Sequence, residues 1–247
     1  LQARRMRTRL IVVIGAVVAV IAAAGGAGYV YYFSGLRSAP AELGLSAAPA
    51  ATTTPATTPT AAGTLTGSWT VTSGSLAGYR IMELFVGQAS KHEAVARTST
   101  ITGGLTASGD SSGYLVSSLT FTADLTSLHS VDSVAGRDVT QRDGVVSRQL
   151  DVQQFPTATF TATSAPVPGA ISSSAVDVSV TGKLTIHGVT RDVTVKAKAQ
   201  LVGAKAEIAG STSIAMADYG VSPPFAPFVT VDPTLLIEFD IFLVRSA

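Results

Sequence analysis

Apolar and polar residues alternate in short runs from about residue 68 to the end of the chain. The clearest run spans 176–201, where the apolar positions of two consecutive legs recur with a period of two. They are Val176, Val178, Val180, Leu184 and Ile186, then Val193, Val195, Ala197, Ala199 and Leu201. This period places one face of each leg on a core and the other in water, so the run predicts a β-hairpin around a short turn.

Similar runs recur along the same part of the chain, separated by Gly, Asp, Pro and Ser. Besides the hairpin, the strand predictions are 69–72, 79–86, 94–102, 114–125, 157–163, 206–216 and 235–244. Residues 132–154 are polar and weakly periodic, which predicts a loop with one or two helical turns. About eight strands predict an all-β fold, an antiparallel barrel whose closure removes its exposed edges.

The alternation also indicates which residues face the interior of the barrel. They are Leu119, Phe121, Leu125, Phe160, Val178, Val180, Leu184, Val193, Val195, Leu201, Ile208, Ile214, Met216, Ile237, Phe239 and Ile241. A solid core and a ligand chamber both satisfy this pattern. Small residues on the same face, such as Ala123 and Gly182, leave volume that a lipid chain could fill.

The first 63 residues have a different composition. Residues 10–33 are apolar apart from Gly and Tyr and are long enough for a membrane-spanning helix, and four Arg precede them within residues 1–9. This predicts a retained single-pass signal anchor with a cytoplasmic N-terminus and an extracytoplasmic barrel on the periplasmic side. A signal peptide cleaved near 22–24 is the alternative.

Residues 34–63 are dominated by Ala, Pro, Thr and Ser, a composition that predicts a flexible linker before a domain at 64–247. Five of the 17 Lys and Arg residues and one of the 16 acidic residues precede residue 64, so the domain carries a formal charge of −3. This balance argues against nucleic-acid binding. The absence of Cys excludes thiol chemistry and disulfides.

Catalytic signatures are missing from the sequence. His92, His129 and His187 have no second ligand at metal-like spacing, no sequence signature pairs a Ser with a His and an acid, and no phosphate-binding loop with its Lys occurs. We therefore expect neither an enzyme nor a metal site.

Two loops leave alternatives open. Arg142 and Asp143 are either solvated or buried, in which case they fix a loop against the barrel opening. The Pro-rich segment 221–229 carries Phe225 and Phe228, which either lid the barrel, pack on its outer wall, or dock on a membrane or partner protein.

Three spaced motifs carry a family resemblance. They are the run 182–193 (GKLTIHGVTRDV), the pair Arg142-Asp143 followed by 155–160 (FPTATF), and 218–221 (DYGV). Between about Gly67 and Val244 the chain resembles the YceI-like proteins, which are extracytoplasmic lipocalin-like barrels that bind polyisoprenoid lipids. The resemblance implies an isoprenoid lipid or quinone as ligand and no other cofactor.

On this resemblance, part of the inward face would contact the lipid: Leu119, Phe121, Phe160, Val180, Leu184, Val193, Val195, Ile214, Met216, Ile237 and Phe239. Arg142, Asp143, His187, Phe225 and Phe228 would lie at the barrel mouth. The alternative function is an accessory subunit of a membrane protein complex, for example a quinone-using respiratory complex, with the barrel as docking module. Glycines in the apolar segment, such as Gly15 and Gly25, would allow close helix packing in such a complex.

Overall fold

A computed structural model describes residues 19–23, 25–26, 37–46, 64–88, 90–134, 136–172 and 174–246. Residues 19–23 and 25–26 are helical. The rest of the predicted anchor 10–33, the basic residues 1–9 and residues 47–63 of the predicted linker lie outside the described residues. No helix in the described part is both long and apolar enough to cross a membrane.

Strands make up most of the described chain. They are β1 (Arg37–Ser38), β2 (Gly67–Val71), β3 (Leu76–Phe85), β4 (His92–Thr98), β5 (Ile101–Asp110), β6 (Gly113–Asp124), β7 (His129–Ser130), β8 (Ser133–Val134), β9 (Thr157–Ala162), β10 (Ala165–Pro168), β11 (Val176–Ile186), β12 (Val189–Val202), β13 (Lys205–Ala215), β14 (Val229–Val231) and β15 (Thr234–Arg245). Helix α1 (Gln141–Gln149) precedes β9, and 3-10 turns occupy Leu125–Ser127, Gly169–Ser172 and Met216–Tyr219.

Eight antiparallel strands form a closed barrel in the order β2, β5, β6, β9, β11, β12, β13, β15. The barrel closes because β15 pairs with β13 along its length and with β2 through Leu243–Arg245. The earlier part of β15, Leu236–Asp240, pairs with β3, which in turn pairs with β4. The prediction of an all-β, eight-stranded antiparallel barrel is confirmed.

The predicted hairpin is β11 and β12, paired residue for residue from Ile186↔Val189 to Val176↔Ala199. Its two loop residues, His187 and Gly188, both have positive φ (51° and 72°), as a tight two-residue hairpin turn requires. We call the end of the barrel that carries this turn the upper end. The lower end carries the β5–β6 and β12–β13 turns.

The structure differs from the strand predictions mainly at β5. The sequence predicted one strand over 94–102, but the chain breaks after Thr98 and continues as the Gly-rich strand β5. A Cβ on Gly103 would lie 2.0 Å from the Thr120 carbonyl oxygen, and one on Gly104 would lie 2.0 Å from the Trp69 carbonyl oxygen. Glycine therefore permits the close approach of β5 to both neighbouring strands.

The lower end of the barrel is solidly packed. Its core contains Trp69, Leu105, Tyr114, Ile171 and Leu243, all buried. The Trp69 indole N–H donates to the Leu65 carbonyl oxygen at 2.7 Å, so the polar atom of this buried ring is satisfied. The barrel is therefore closed below, and its unfilled space lies higher up.

Candidate functional site

Two adjoining cavities occupy the barrel interior above this core. The lower chamber has a volume of ≈120 Å³, and Thr212 is the one polar residue among the described residues that line it. The upper chamber, ≈160 Å³, lies between the strands, helix α1 and the segment Tyr219–Pro224. For comparison, an apolar cavity of about 150 Å³ stays dry and holds a benzene-sized molecule.

Five residues line both chambers and form a waist between them: Ala77, Ala123, Ala158, Leu184 and Ile237. Three of the five are Ala, whose single methyl groups place little side chain between the two chambers. Ala123 thus borders unfilled volume, as the alternation allowed, whereas the ring of Phe160 fills the space beside Gly182.

All eleven residues predicted to contact a lipid line these chambers. Leu119, Phe121, Phe160, Val180, Val193, Val195 and Phe239 line the lower one, Ile214 and Met216 the upper one, and Leu184 and Ile237 both. The sequence did not point to Ile101 of β5 or to Val145, Val146 and Leu150 of the α1 region, which also line them. The weak helical period of 132–154 hid the last three.

Arg142 ties α1 to the barrel wall at the upper end. Its guanidinium donates from Nε and Nη2 to the two Glu83 carboxylate oxygens at 2.9 and 3.0 Å, and from Nη1 to Asp132 Oδ1 at 2.7 Å. The Asp132 side chain is fully buried and the Glu83 side chain is 6% exposed. Of the two alternatives for Arg142, the structure shows the buried one.

Asp132 lies at the centre of this network. His92 Nε2 is 2.7 Å from its Oδ2, and the Val95 backbone N–H donates to its Oδ1 at 3.1 Å. Burial alone would raise the pKa of Asp132, but the hydrogen bonds from His92 and Arg142 outweigh burial and lower this pKa to about 2. The carboxylate is therefore ionised and holds its partners in place.

The other residues predicted at the barrel mouth also lie at the upper end. Asp143 accepts hydrogen bonds from the Ser130 backbone N–H at 2.9 Å and the Ser130 hydroxyl at 2.6 Å. His187 Nδ1 is 3.2 Å from the Tyr219 carbonyl oxygen, and its ring contacts Phe155 edge-on at 5.1 Å between centroids. Both residues fix loops around the opening.

Phe225 and Phe228 do not line either chamber; they are 98% and 56% exposed. Pro224, next to them, does line the upper chamber. The two rings therefore lie beside the opening and do not cover it.

Two tyrosines line the upper chamber, together with the polar residues Glu83, Thr98, Arg142, Gln149 and Ser222. The Tyr219 hydroxyl is buried without a hydrogen-bond partner. Tyr79 lines the same chamber, and burial raises its pKa, opposed by the charge of Arg142. Both phenols are therefore neutral at physiological pH and able to donate a hydrogen bond.

Metal chemistry has no candidate site here. Within the described ranges, no three His, Asp or Glu side chains are grouped so that they could hold a metal ion.

Comparison with known proteins gives three kinds of relatives. A family model of the YceI-like domain matches residues 57–243. The UPF0312 protein of Pseudomonas putida is 35% identical over 95 residues, 36% of this chain and 47% of the relative. The UPF0312 protein of Pseudomonas syringae pv. tomato is 30% identical over 106 residues, 40% of this chain and 53% of the relative. The chain spans about half the length of these curated relatives.

Among solved structures, a polyisoprenoid binding domain from Saccharophagus degradans, implicated in plant cell wall breakdown, has a TM-score of 0.53. The match covers 72% of this chain and 98% of that domain at 18% identity, which shows the common fold. The three motifs, the closed barrel and the family match over 57–243 agree, and this chain belongs to the YceI-like domain family.

Proposed function

We propose that the barrel binds one isoprenoid-type lipid, with its apolar chain extended through both chambers. The observation that carries this proposal is the pair of adjoining apolar cavities, stacked above the Trp69 core and sharing the five lining residues of the waist. A buried methylene gains about 0.8 kcal/mol, so chain length contributes more to affinity than a single hydrogen bond to the headgroup.

The polar end of the ligand would lie in the upper chamber and would be uncharged. Arg142 is the cation nearest this space, and it is already paired with two carboxylates, Glu83 and Asp132. A phosphate group would meet this excess of negative charge. A quinone or prenol oxygen would instead accept a hydrogen bond from Tyr79 or Tyr219, which supports a quinone or prenol over a phosphorylated lipid.

The proposal is one of binding and not of catalysis. The polar groups that line the upper chamber are the hydroxyls of Tyr79, Thr98, Tyr219 and Ser222, the Gln149 amide and the ion-paired Glu83 and Arg142. Among the described residues, none of these hydroxyls is hydrogen-bonded to a His, Asp or Glu that could act as its base. The name of the Saccharophagus domain, polyisoprenoid binding, is consistent with this proposal.

We further propose that residues 10–33 anchor the protein in the cell membrane with the barrel outside the cytoplasm. The support comes from the sequence, namely the apolar run and the four Arg that precede it. A second candidate function is an accessory subunit of a membrane complex, and the exposed Phe225 and Phe228 favour it as a docking surface.

Mass spectrometry of lipid co-purifying with the full chain tests the binding proposal. Val195→Phe places a ring in the lower chamber and should abolish retention of the lipid, because Val195 lines that chamber and is buried. Lys196→Phe, on the outward face of the same strand, adds the same ring outside the barrel and should retain lipid. A folded Val195→Phe protein with undiminished lipid would refute a ligand chamber there.

The same preparation distinguishes the second candidate. Stable protein partners and no lipid would favour the accessory subunit. Lipid retained by a chain free of partners would favour the binding protein.

A further inference from the structure

A stretch of the predicted linker lies on the outer wall of the barrel. Residues 37–46, which we call the strap, begin as β1, paired with β8 through Arg37↔Val134 and Ser38↔Ser133. The strap then crosses the outward faces of β4, β3, β15, β13 and β12.

Charged side chains of the wall beneath the strap, Arg80 and Glu238, are buried, although they point away from the core. Glu238 has no exposed surface; it accepts from Arg97 Nε at 2.9 Å and from Arg80 Nη1 at 3.3 Å. Arg80 Nη2 also contacts Glu93 at 2.7 Å. Such a buried group of charges on an outer wall needs a cover that completes its hydrogen bonds.

The strap supplies these bonds from its backbone. Arg80 Nη2 donates to the Pro40 carbonyl oxygen and Arg97 Nη2 to the Ala41 carbonyl oxygen, both at 2.6 Å. In return, the Leu43 N–H donates to Glu238 Oε2 at 3.0 Å. The two Arg side chains thus donate to backbone carbonyls, and the Glu238 carboxylate accepts from a backbone amide. A strap shifted by one residue would lose this match of donors and acceptors.

The far end of the strap is held in the same way near the lower end of the barrel. The Ser46 N–H donates to Glu207 Oε1 at 2.6 Å, and Gln200 Nε2 donates to the Ser46 carbonyl oxygen at 3.2 Å. Gln200 and Glu207 lie close to the β12–β13 turn. The strap therefore carries the chain from the upper end of the barrel to the lower end before β2 begins.

This course determines which end of the barrel lies near residues 10–33. Three residues lie between position 33 and Arg37, and the four steps along the chain reach at most about 14 Å. Without the strap, the first fixed point of the chain would be residue 64, at the lower end of the barrel. A coil of about 30 Å would then join this residue to position 33. The strap thus brings the upper end, with the chamber opening, next to the apolar run.

The upper end also exposes apolar side chains. Val86, Phe225 and Phe228 are 71%, 98% and 56% exposed. The Val86 N–H donates to the Phe228 carbonyl oxygen at 3.0 Å, which holds these two residues side by side. Arg137, which follows β8, lies over the ring of Phe85, the residue before Val86, so β1 and this apolar rim lie at the same end of the barrel.

We infer that the apolar rim, Val86, Phe225 and Phe228, docks on the lipid bilayer and that the strap holds the barrel with its opening on that surface. The inference rests on the proposed membrane anchor and lipid binding. It adds an orientation, in which an apolar lipid passes between bilayer and chamber without crossing water.

The test uses the absence of Cys in the chain, which allows single-site labelling. An environment-sensitive fluorophore is attached to full-length protein at Val86→Cys. The matched control carries the same label at Leu115→Cys, an exposed position at the lower end. Both are reconstituted in phosphatidylethanolamine–phosphatidylglycerol vesicles that contain brominated phosphatidylcholine as quencher. We expect quenching of the label at position 86 and none at position 115.

The role of the strap is tested by Leu43→Pro with Ser46→Pro, which removes both N–H donors to the wall. In this double variant, the labels at positions 86 and 115 should be quenched to the same extent. Gly44→Ala is the control, since a Cβ at Gly44 meets nothing within 4 Å, and it should preserve the difference in quenching between positions 86 and 115. The fluorescence of Trp69, the single Trp and part of the lower core, reports in unlabelled protein that each variant is folded.

Equal quenching at both positions, or stronger quenching at 115, overturns the orientation. If the double variant Leu43→Pro with Ser46→Pro still shows stronger quenching at position 86 than at position 115, the proposed role of the strap is wrong. A blue shift of the label at 86 in native membranes, without quenching in the lipid vesicles, overturns the bilayer as occupant and assigns the rim to a protein partner. Lipid retention, measured separately by mass spectrometry, distinguishes these failures from failure of the proposed function.

Discussion

Arg142→Met tests whether one ion-paired side chain holds α1 on the barrel. The substitution keeps an unbranched apolar side chain but removes the guanidinium that pairs with Glu83 and Asp132. Both carboxylates are almost fully buried, so they would lose their main cation inside the protein. Removing one partner of a buried ion pair costs about 3–5 kcal/mol. At 2–4 °C per kcal/mol for a domain of this size, the melting temperature should fall by about 6–20 °C.

The loss should also depend on pH. In the wild type the pKa of Asp132 is about 2, below its ordinary value of 3.8, so this group stabilises the fold above about pH 4 and the stabilisation is lost as the pH falls toward 2. Without Arg142, burial raises the Asp132 pKa, and the carboxyl takes up a proton more readily. The difference in melting temperature between wild type and variant should therefore be largest near neutral pH and should narrow toward about pH 4.

Thermal unfolding of the full chain in mild detergent, followed by circular dichroism across this pH range, measures both effects. Arg148→Met is the control, because Arg148 is exposed on the same helix and its loss should change stability by at most about 0.5 kcal/mol. If Arg142→Met and Arg148→Met unfold at the same temperature, or if the difference does not change with pH, the argument for a buried network is wrong.

Two further predictions concern other buried polar groups. Burial and the neighbouring Glu207 raise the pKa of Asp240 to about 7, above its ordinary 3.8, so the wild type should lose stability as the pH rises from about 4 to about 7. Measured by urea unfolding, Asp240→Asn should remove this loss of stability with pH, whereas Asp177→Asn, at an exposed position, should keep it. If the unfolding free energy of Asp240→Asn falls with pH as steeply as that of the wild type, the shifted pKa is wrong. Tyr219→Phe removes a buried hydroxyl without a partner and should stabilise the lipid-free barrel by about 1–3 kcal/mol while weakening retention of a quinone or prenol. Retention equal to wild type would show that the hydroxyl does not contact the ligand.

The sequence located most of the barrel because the half-buried strands alternate. The eleven predicted lining residues reached the chambers for the same reason, since a strand that buries one face must send every second side chain inward. The sequence did not predict β5 as a separate strand, because Gly103 and Gly104 interrupt the alternation of apolar and polar residues there. Glycine was needed there for close backbone approach, which the alternation does not record.

Non-local contacts explain what the sequence did not predict. The alternation places Glu238 on the outer face of β15, where water is the expected neighbour, yet the strap buries it from 195 positions away along the chain. The strap is recognised through its backbone, so its Ala- and Pro-rich side chains look like those of a free linker. Helix α1 is held by Arg142 more than by an apolar stripe, so its hydrophobic period is weak.

The waist between the two chambers has a consequence for how the protein could diverge. Three of its five residues are alanines, and in the genetic code any alanine codon becomes a valine codon by one base change. On the proposed function, a valine at position 77, 123 or 158 would narrow the waist and reduce the number of isoprene units that pass into the lower chamber. A lineage could shorten its preferred lipid one mutation at a time, with the strands, the ion-paired network and the strap left unchanged.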